Sequence, residues 1–382
     1  IYYAGKAFLC TEVARWVTEE GLALDVCTGG ELAVAVAAGV DGSRIGFHGS
    51  NKSVAELEAA LDAGVGTIVL DSRIELERLA AVAQRRSIRQ PVLIRVNSGV
   101  HAETHDFLAT AHEDQKFGFP LDEAADVAAR VRELPSLALV GLHCHIGSQI
   151  FGADGFRESA ARMVELHAEL SAADPLPILN LGGGFGIAYT SADVPDPIEE
   201  LAEGIVEAVA AQCEVRGIPI PDLAFEPGRW IVGPAGITLY EVGTVKPVRA
   251  SEDAARLYVS VDGGMSDNPR HALYGAQYAA RLASRASEAD PALARVVGRH
   301  CESGDIVVDA EYLPGDVVPG DLLAVAATGA YCFSLASDYN HVPRPPVVAV
   351  RAGQARTIVR RETMADLLAR DMGVPHSDEG DR

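Results

Sequence analysis

Leu179-Asn180-Leu181-Gly182-Gly183-Gly184-Phe185-Gly186 is the stretch that decides the fold of this 382-residue chain. An apolar run over 178–181 ends in glycines, and a helical pattern follows at 197–216, so the sequence predicts a strand, a tight turn and a later helix. Glycines let a backbone approach a ligand closely, and bare N–H groups in such a turn form a concave site for an anion, usually a phosphate. Glycine runs also mark plain turns, so this stretch by itself leaves both interpretations open.

The same alternation of an apolar run and an amphipathic segment fills the first 230 residues or so. Strand-like runs lie at 1–8, 23–28, 45–48, 67–71, 92–96, 139–145, 178–181 and 223–226. Helical candidates, with apolar residues at spacings of three and four, lie at 11–20, 31–38, 54–63, 74–85, 121–134, 156–172 and 197–216. Eight β/α units of this kind predict an α/β fold, the (β/α)8 barrel.

Polar residues and glycines follow the predicted strands, where the carboxyl-terminal rim of a barrel would be. They include Lys6 and the segments 28–30, 48–52, 71–72, 145–148, 182–186 and 226–229. Barrel enzymes often bind phosphate with the loops after strands seven and eight. Here those loops are the glycine run and Glu226-Pro227-Gly228-Arg229, which favours the anion site.

The pattern changes after residue 230. Strand-like runs at 239–248, 256–261, 305–310, 321–326, 347–351 and 354–360 are separated by turns, and a short helix is expected at 365–372. We therefore expect a barrel domain over 1–235, a mainly β second domain over 236–374 and a polar tail over 375–382. Because the chain starts at Ile1 on a strand-like run, we also expect that its natural N terminus is missing.

Composition restricts the class of partner. The formal net charge of −22 and the pI near 4.8 argue against a nucleic acid or an anionic membrane, which are bound by clustered Lys and Arg. No apolar run reaches the ~18 residues of a membrane span, and the start lacks a signal-peptide pattern. The six cysteines show no C-x-x-C pair, which suits free thiols and a cytoplasmic location. A small-molecule enzyme fits these features best.

Lys6, in Tyr3-Ala4-Gly5-Lys6-Ala7, is the candidate nucleophile. We expect its strand to be buried inside the barrel, where a lysine is rare unless it is paired or reactive. A desolvated amine can hold an aldehyde as a Schiff base, and an aldehyde that also carries a phosphate is pyridoxal 5'-phosphate. This cofactor needs an acid at its pyridine nitrogen, for which Glu226 is the candidate, with His145 against the ring and Ser148 at the phosphate. An outward-pointing lysine at a strand end is the alternative.

Histidines offer a competing metal site. His143 and His145 would share one strand face, because side chains alternate with a period of two. The polar loop over 98–118 carries further histidines and acids, namely His101, His105, His112, Glu113 and Asp114. Neither group has further ligands at a recognisable spacing, so we expect no metal.

Seven motifs in order give the chain a resemblance to the diaminopimelate decarboxylases, in the alanine-racemase-like (fold-type III) class of pyridoxal-phosphate enzymes. They are Tyr3-Ala4-Gly5-Lys6-Ala7, His145-Ile146-Gly147-Ser148-Gln149, the glycine run, Glu226-Pro227-Gly228-Arg229, Asp267-Asn268-Pro269-Arg270 with Tyr274, Cys301-Glu302-Ser303-Gly304-Asp305, and Gly329-Ala330-Tyr331. The resemblance spans essentially the whole chain. It implies pyridoxal phosphate as cofactor and decarboxylation of meso-2,6-diaminopimelate at its D-centre to L-lysine and CO2, the last step of lysine biosynthesis.

The resemblance also implies a role for each motif residue. Lys6 would form the internal aldimine, and Cys301 would be the proton donor. The cofactor would be bound by Lys6, His145, Ser148, Gly182, Gly183, Gly184, Glu226, Pro227, Gly228, Arg229 and Tyr331. The substrate would be bound by Arg229, Arg270, Tyr274, Glu302 and Tyr331, the arginines at its distal carboxylate and Glu302 at its distal ammonium. Cys301 and Glu302 would reach across from a partner, so the active unit would be a homodimer with shared sites.

Other functions stay open at this point. A decarboxylase of ornithine or arginine would need only acids at the distal end, whereas Arg229, Arg270 and Glu302 suit an end with both a carboxylate and an ammonium. An alanine racemase would need a catalytic tyrosine where the Cys301 motif stands. A non-catalytic paralogue would not require Lys6 and Cys301. Ser50 and Trp230 depart from the family pattern, and Trp230 would crowd the rim.

Overall fold

The structure, a computed structural model, describes residues 1–100, 116–249 and 255–374. The loop residues His101, His105, His112, Glu113 and Asp114 and the predicted tail over 375–382 lie outside these ranges. The chain divides into two compact units between Ala235 and Gly236. Each unit is described separately.

The first unit is built around a parallel barrel. Its strands, in order around the sheet, are β1 (Tyr2–Ala4), β2 (Ala23–Val26), β3 (Ile45–Phe47), β4 (Thr67–Leu70), β5 (Gln90–Asn97), β7 (Leu137–His143), β8 (Ile178–Asn180) and β9 (Asp222–Ala224), with the short β6 (Phe119–Pro120) paired to β5. Tyr2 N donates to Phe225 O at 2.8 Å and Ala4 N to Pro227 O at 3.1 Å, so the first and last strands meet. The predicted (β/α)8 barrel is confirmed.

Helices alternate with these strands. They are α1 (Thr11–Glu19), α2 (Gly29–Ala38), α3 (Val54–Asp62), α4 (Arg73–Arg85), α5 (Ala124–Arg132), α6 (Asp154–Ser171), α7 (Ile198–Arg216) and the short α8 (Arg229–Val232). Thr28, Ser53 and Ser72 each accept a hydrogen bond from the backbone three residues on, which fixes where α2, α3 and α4 begin. No helix in the described ranges is long and apolar enough to cross a membrane.

A buried ion pair holds one of the rim loops. Lys52 Nζ lies 2.8 Å from Glu75 Oε1, and both side chains are almost fully buried. The same ammonium donates to Gly49 O at 2.7 Å and to Val69 O at 2.9 Å. A buried charge has to be paired in this way, because an unpaired one costs several kcal/mol. Lys52 therefore fixes the loop that follows β3 against β4 and α4.

The second unit is mainly β, as the sequence predicts. Its strands are β10 (Thr238–Arg249), β11 (Ala255–Val261), β12 (Ala280–Leu282), β13 (Pro291–Val297), β14 (Ile306–Pro314), β15 (Leu322–Val325) and the hairpin β16 (Val347–Arg351) with β17 (Gln354–Val359); its short helices are α9 (Arg270–Tyr274), α10 (Cys332–Leu335) and α11 (Met364–Leu368). Six strands form a sheet in the order β12-β15-β10-β11-β13-β14. The sequence analysis missed β12 and β13, and β13 is an internal strand, parallel to β11 and antiparallel to β14.

Gly141 allows β7 and β8 to approach closely. A Cβ added there would lie 2.1 Å from Ile178 O, within the barrel wall. We expect Gly141→Ala to lower the midpoint of thermal unfolding by several degrees, because overpacking a wall of this kind costs about 1–3 kcal/mol. Gly30→Ala, within α2, is the matched control, since a Cβ at Gly30 would meet only Thr28 Oγ1, at 3.7 Å. Equal midpoints for the two variants would show that the barrel wall can relax.

Candidate active site

A cavity of about 720 Å³ lies at the carboxyl-terminal end of the barrel strands. Its wall includes Lys6, Asp25, Cys27, Thr28, His48, Ser50, Arg95, His143, His145, Ser148 and Glu226. Four of the predicted site residues, Lys6, His145, Ser148 and Glu226, therefore meet at one place although they lie far apart in sequence.

Lys6 borders this cavity, but it is not buried in a strand. The strand β1 ends at Ala4, and Lys6 lies in the 3-10 turn Gly5–Ala7 with its side chain exposed, while Gly5 and Ala7 are buried. The expectation of a buried strand lysine is thus wrong. The last closing bond of β1 runs from Ala4 N to Pro227 O, just beyond the end of β9, and the following turn places Lys6 at the rim. Its amine is accessible to a ligand that enters the cavity.

Glu226 lies on the floor of the cavity and is 7% exposed. Its Oε1 accepts hydrogen bonds from Asn180 Nδ2 at 2.7 Å and from His48 Nε2 at 3.0 Å, and its Oε2 from His143 Nε2 at 3.2 Å. Burial alone raises the pKa of Glu226, but the two imidazoles and their hydrogen bonds hold this pKa well below its usual range. The floor of the cavity therefore carries an ionised carboxylate.

His48 lies between Glu226 and a second buried carboxylate. Its Nε2 is 3.5 Å from Asp25 Oδ1. Burial lowers the pKa of His48, but Asp25 and Glu226 outweigh this effect, so the pKa is raised overall. Burial raises the pKa of Asp25 to about 6, against the opposing effect of His48. Because two carboxylates face one imidazole, the floor keeps a net negative charge at neutral pH.

The histidines are not arranged as the competing metal interpretation supposed. The strand β7 ends at His143, so His145 lies in the following loop rather than on the same strand face. His143 instead meets His48 and Glu226, with the possible ligand atoms of all three within 4.8 Å of one another. Burial lowers the pKa of His143 to about 4, so its ring is neutral. Both imidazoles already bind Glu226 through their Nε2 atoms.

The glycine loop is a close-packed turn. A Cβ at Gly183 would lie 2.1 Å from Glu226 O, and one at Gly184, whose φ is +112°, would lie 2.4 Å from Gly147 O. A Cβ at Gly228 would lie 2.9 Å from Ala4 Cβ. Only glycine fits these positions without a shift of the backbone. The loops after β7, β8 and β9 are therefore packed against each other by backbone contact.

Two N–H groups of this turn already have protein acceptors. Gly182 N donates to Asn180 Oδ1 at 2.9 Å, and Gly183 N donates to His145 Nδ1 at 3.3 Å. The expectation of bare N–H groups is therefore wrong for these two residues. Burial, with the charge of Lys6 adding to it, lowers the pKa of His145 well below its ordinary value, so His145 is a neutral ring that Gly183 orients.

Arg229 joins two predicted subsites. Its guanidinium donates to Ser148 Oγ at 2.9 Å and also to the hydroxyl of Tyr189, which the sequence analysis did not single out. A residue assigned to the substrate and a residue assigned to the phosphate are thus in direct contact. Trp230, the next residue, is 41% exposed on α8.

The remaining predicted residues lie in the second unit. Arg270 is buried, and its guanidinium donates to Tyr278 Oη at 2.5 Å. Tyr274 is exposed, as are Cys301 and Glu302. Tyr331 has a left-handed backbone with φ of +65° and precedes α10. Such a conformation is uncommon outside glycine and is often found at functional positions.

Comparison with known proteins identifies the family. The family described as "Pyridoxal-dependent decarboxylase, pyridoxal binding domain" matches residues 1–233. A diaminopimelate decarboxylase of Mycobacterium bovis is 57% identical over 377 residues, covering 97% of this chain and 84% of the relative. The chain belongs to the diaminopimelate decarboxylase family. The diaminopimelate decarboxylase of Bacillus subtilis is 45% identical over 376 residues, with 97% and 84% covered.

Solved structures agree with this assignment. A diaminopimelate decarboxylase from M. jannaschi matches with a TM-score of 0.90 at 30% identity, covering 98% of this chain and 85% of that one. The Helicobacter pylori enzyme, solved with L-lysine, matches with a TM-score of 0.87 at 29% identity, covering 97% and 89%. A lysine/ornithine decarboxylase from Vibrio vulnificus has a TM-score of 0.74 at 23% identity and shares the fold alone. Because our chain matches the pyridoxal-dependent family over residues 1–233 and belongs to the diaminopimelate decarboxylases, it uses pyridoxal phosphate.

The cavity floor fits that cofactor. Asp25 and Glu226, which share the one imidazole of His48, leave a net negative charge that a protonated pyridine nitrogen would balance. The glycines at 183, 184 and 228 leave no room for a Cβ and bring the backbone to the cavity wall. Lys6 offers an accessible amine at the rim.

Several residues of this decarboxylase site were missed by the sequence analysis. They are Asp25, His48, Arg95, His143 as a partner of Glu226, and Asn180. Their common signal is a polar residue within or just after a run of buried strand residues, as in Leu24-Asp25-Val26 and Ile94-Arg95-Val96. A residue of that kind has to be paired or functional.

Asn180 connects Glu226 to the glycine turn through its neutral amide. A negative charge introduced at this position should therefore weaken cofactor binding. Asn180→Asp places a second carboxylate beside Glu226. The repulsion between the two carboxylates raises their pKa values, so the ionised form of Glu226 becomes less stable. We expect the Kd for pyridoxal phosphate, from absorbance titration of the cofactor-free protein, to rise about 10-fold or more, on the order of 1–3 kcal/mol.

Asn97→Asp is the matched control, because Asn97 Oδ1 likewise accepts from the backbone N–H two residues on, that of Gly99, at 3.0 Å. Its Kd should change by less than about 2-fold, since an Asp retains that acceptor. Equal affinities for both variants and the parent protein would refute the role assigned to Asn180.

Proposed function

We propose that the chain catalyses decarboxylation of meso-2,6-diaminopimelate at its D-centre, releasing CO2 and L-lysine as the last step of lysine biosynthesis. The observation that carries the proposal is the ionised Glu226 on the floor of a cavity that Lys6 and His145 also line. The 57% identity to a named diaminopimelate decarboxylase supports the same reaction. The lysine bound to the Helicobacter pylori relative fits a product of that kind.

In this proposal the barrel residues hold the cofactor. Lys6 would bind it covalently, Glu226 would keep its pyridine nitrogen protonated, and the neutral His145 would pack on its ring. The phosphate would be held by Ser148, Tyr331 and the backbone at Gly183, Gly184 and Gly228, where Gly183 N would exchange its present acceptor, His145 Nδ1, for a phosphate oxygen. The cofactor would further be bound by Gly182, Pro227 and Arg229. When bound, pyridoxal phosphate supplies the electron sink that takes up the electron pair left by the departing CO2.

The distal end of the substrate would be recognised by charge. Arg229, Arg270 and Tyr274 would bind the distal carboxylate with help from Tyr331, and Glu302 would bind the distal ammonium. The Arg270 guanidinium is held by Tyr278, which fixes its plane before substrate arrives. A planar guanidinium binds a carboxylate through two parallel hydrogen bonds, which a plain diamine end could not accept. This set of residues therefore favours diaminopimelate over ornithine or arginine.

Cys301 would return a proton to the α-carbon after CO2 leaves. We propose that Cys301 and Glu302 act in the site of a partner subunit, so that the enzyme is a homodimer with shared active sites. Both side chains are exposed within their own unit, as a contribution to another subunit requires. All six cysteines are free thiols, in keeping with the cytoplasmic location that we assign to the enzyme.

Removal of Lys6 tests the cofactor site. We expect Lys6→Ala to lose the visible absorbance of the lysine-linked cofactor and to lower lysine production from meso-diaminopimelate by more than about 10³-fold, because the covalent attachment is gone. Lys246→Ala, on a strand of the second unit, should keep both. A Lys6→Ala protein with the visible band and full turnover would refute the assignment. Full activity of the parent protein on ornithine or arginine would instead refute the proposed substrate.

Mixing two strongly impaired variants, each of which keeps only a small residual activity, tests the shared site. If Lys6 and Cys301 act in the same site from different subunits, a reassembled equimolar mixture of Lys6→Ala and Cys301→Ala contains heterodimers with one intact site. We expect the mixture to recover about a quarter of the parental activity, since half of the dimers are mixed and each has one working site. No recovery, with mixed dimers verified by differently tagged subunits, would place both residues in one chain.

A further inference from the structure

We propose that Asp305 is the positioning residue for the proton donor: its carboxylate fastens the loop that carries Cys301 to the turn that precedes Arg270. This inference rests on the proposed role of Cys301. Asp305 has no contact with the reacting atoms in this proposal and acts only through the backbone it holds.

The carboxylate of Asp305 is buried, with 3% of the residue exposed. Its Oδ1 accepts a hydrogen bond from Met265 N at 2.6 Å, and its Oδ2 accepts one from His300 N at 2.7 Å. Hydrogen bonds to an ionised acceptor are short and about twice as strong as neutral ones. One side chain thus holds two separate backbone segments, and one of them ends next to Cys301.

Two glycines shape the pocket around this carboxylate. A Cβ on Gly264 would lie 2.4 Å from Asp305 Oδ1, and a Cβ on Gly298 would lie 2.2 Å from Asp305 Oδ2. Gly264 also has a φ of +149°, which side chains rarely adopt. The carboxylate therefore sits in a pocket made of backbone, where neither oxygen can move without displacing a chain segment.

Further bonds join the same two segments. Arg299 N donates to Gly263 O at 3.1 Å, and Ser266 N donates to His300 Nε2 at 3.1 Å. On the far side of the loop, Cys301 N donates to Asn340 Oδ1 at 3.1 Å. The backbone that leads into Cys301 is thus fixed by several hydrogen bonds, although the Cys301 side chain itself is exposed.

The turn at 264–268 is the fixed frame of this arrangement. Asn268 N donates to Gly264 O at 2.9 Å, Gly264 N donates to Asp267 Oδ1 at 2.7 Å, and Tyr240 donates to the other oxygen of Asp267. Because the turn has these anchors of its own, loss of Asp305 should release the Cys301 loop more than it disturbs Arg270. An exposed donor without packed neighbours needs such a support to keep its geometry.

Asp305→Asn tests the proposal on the full-length enzyme loaded with cofactor. The amide NH2 would face a backbone N–H, so one of the two bonds is lost. We expect kcat for lysine formation to fall about 10-fold, with KM changed by less than about 3-fold and the visible cofactor band unaltered. The control is Asp309→Asn, which should keep the parental kcat. Asp309 lies on β14, the strand that follows Asp305, and its half-exposed carboxylate pairs with Arg295.

Gly298→Ala provides a second test that keeps the Asp305 side chain but shifts it. The added methyl would displace Asp305 Oδ2, so we expect the same fall in kcat with the same cofactor band. Gly243→Ala is its control, because a Cβ there meets only Ser260 O at 3.7 Å. If Asp305→Asn does not fold, Gly298→Ala decides the question.

A double-mutant cycle separates this inference from the proposed function. If Asp305 acts through Cys301, Asp305→Asn should lower kcat by less than about 2-fold in the Cys301→Ala background. A full 10-fold effect in that background, or parental kcat in both Asp305→Asn and Gly298→Ala, would overturn the positioning role. Parental kcat for Cys301→Ala by itself would instead refute the proton-donor assignment on which the inference rests.

Discussion

The barrel depends on one buried negative charge, the carboxylate of Glu226. A carboxylate out of water costs several kcal/mol unless donors replace its hydration. Here His48, His143 and Asn180 supply the donors, and they follow or end the strands β3, β7 and β8. The charge is therefore stable only when these strands are in register with β9.

The hydrogen bonds that close the barrel also determine the position of the charged Glu226 on its floor. The backbone carbonyls of Phe225 and Pro227, on either side of Glu226, accept the bonds from Tyr2 and Ala4 that join the last strand to the first. The two closing hydrogen bonds therefore fix the backbone on both sides of Glu226 and with it the direction of the Glu226 side chain. Asn180 extends the arrangement to the glycine turn, because its oxygen accepts from Gly182 N while its nitrogen donates to Glu226. A shift of any one loop would disturb the acid, the turn and the barrel wall together.

The sequence predicts the barrel because its signal is local. Each strand is an apolar run, each helix has its own periodicity and cap, and the motif residues identify the family. The sequence could not predict strand pairings and hydrogen bonds in which the partner residue lies far away along the chain. The end of β1 at Ala4 depends on pairing with β9, so the exposure of Lys6 was missed. The strand β13 starts at a proline and has an arginine in it, and only its place between β11 and β14 makes it a strand. The acceptors of Gly182 and Gly183 are side chains from β8 and the loop after β7, which no spacing in the glycine run reveals.

The buried floor residues and the exposed residues of the second unit differ in how readily they can be substituted. The floor residues are buried and mutually hydrogen-bonded, so a change in one leaves an unpaired polar group behind, at about 1–3 kcal/mol. Tyr274, Cys301 and Glu302 are exposed on the second unit, where replacement disturbs few contacts within the chain. If Tyr274 and Glu302 bind the distal end of the substrate as we propose, that recognition can change without touching the groups that keep Glu226 ionised. A common fold can carry different reactions, because the specificity of a site depends on the residues placed on the fold and not on the fold itself.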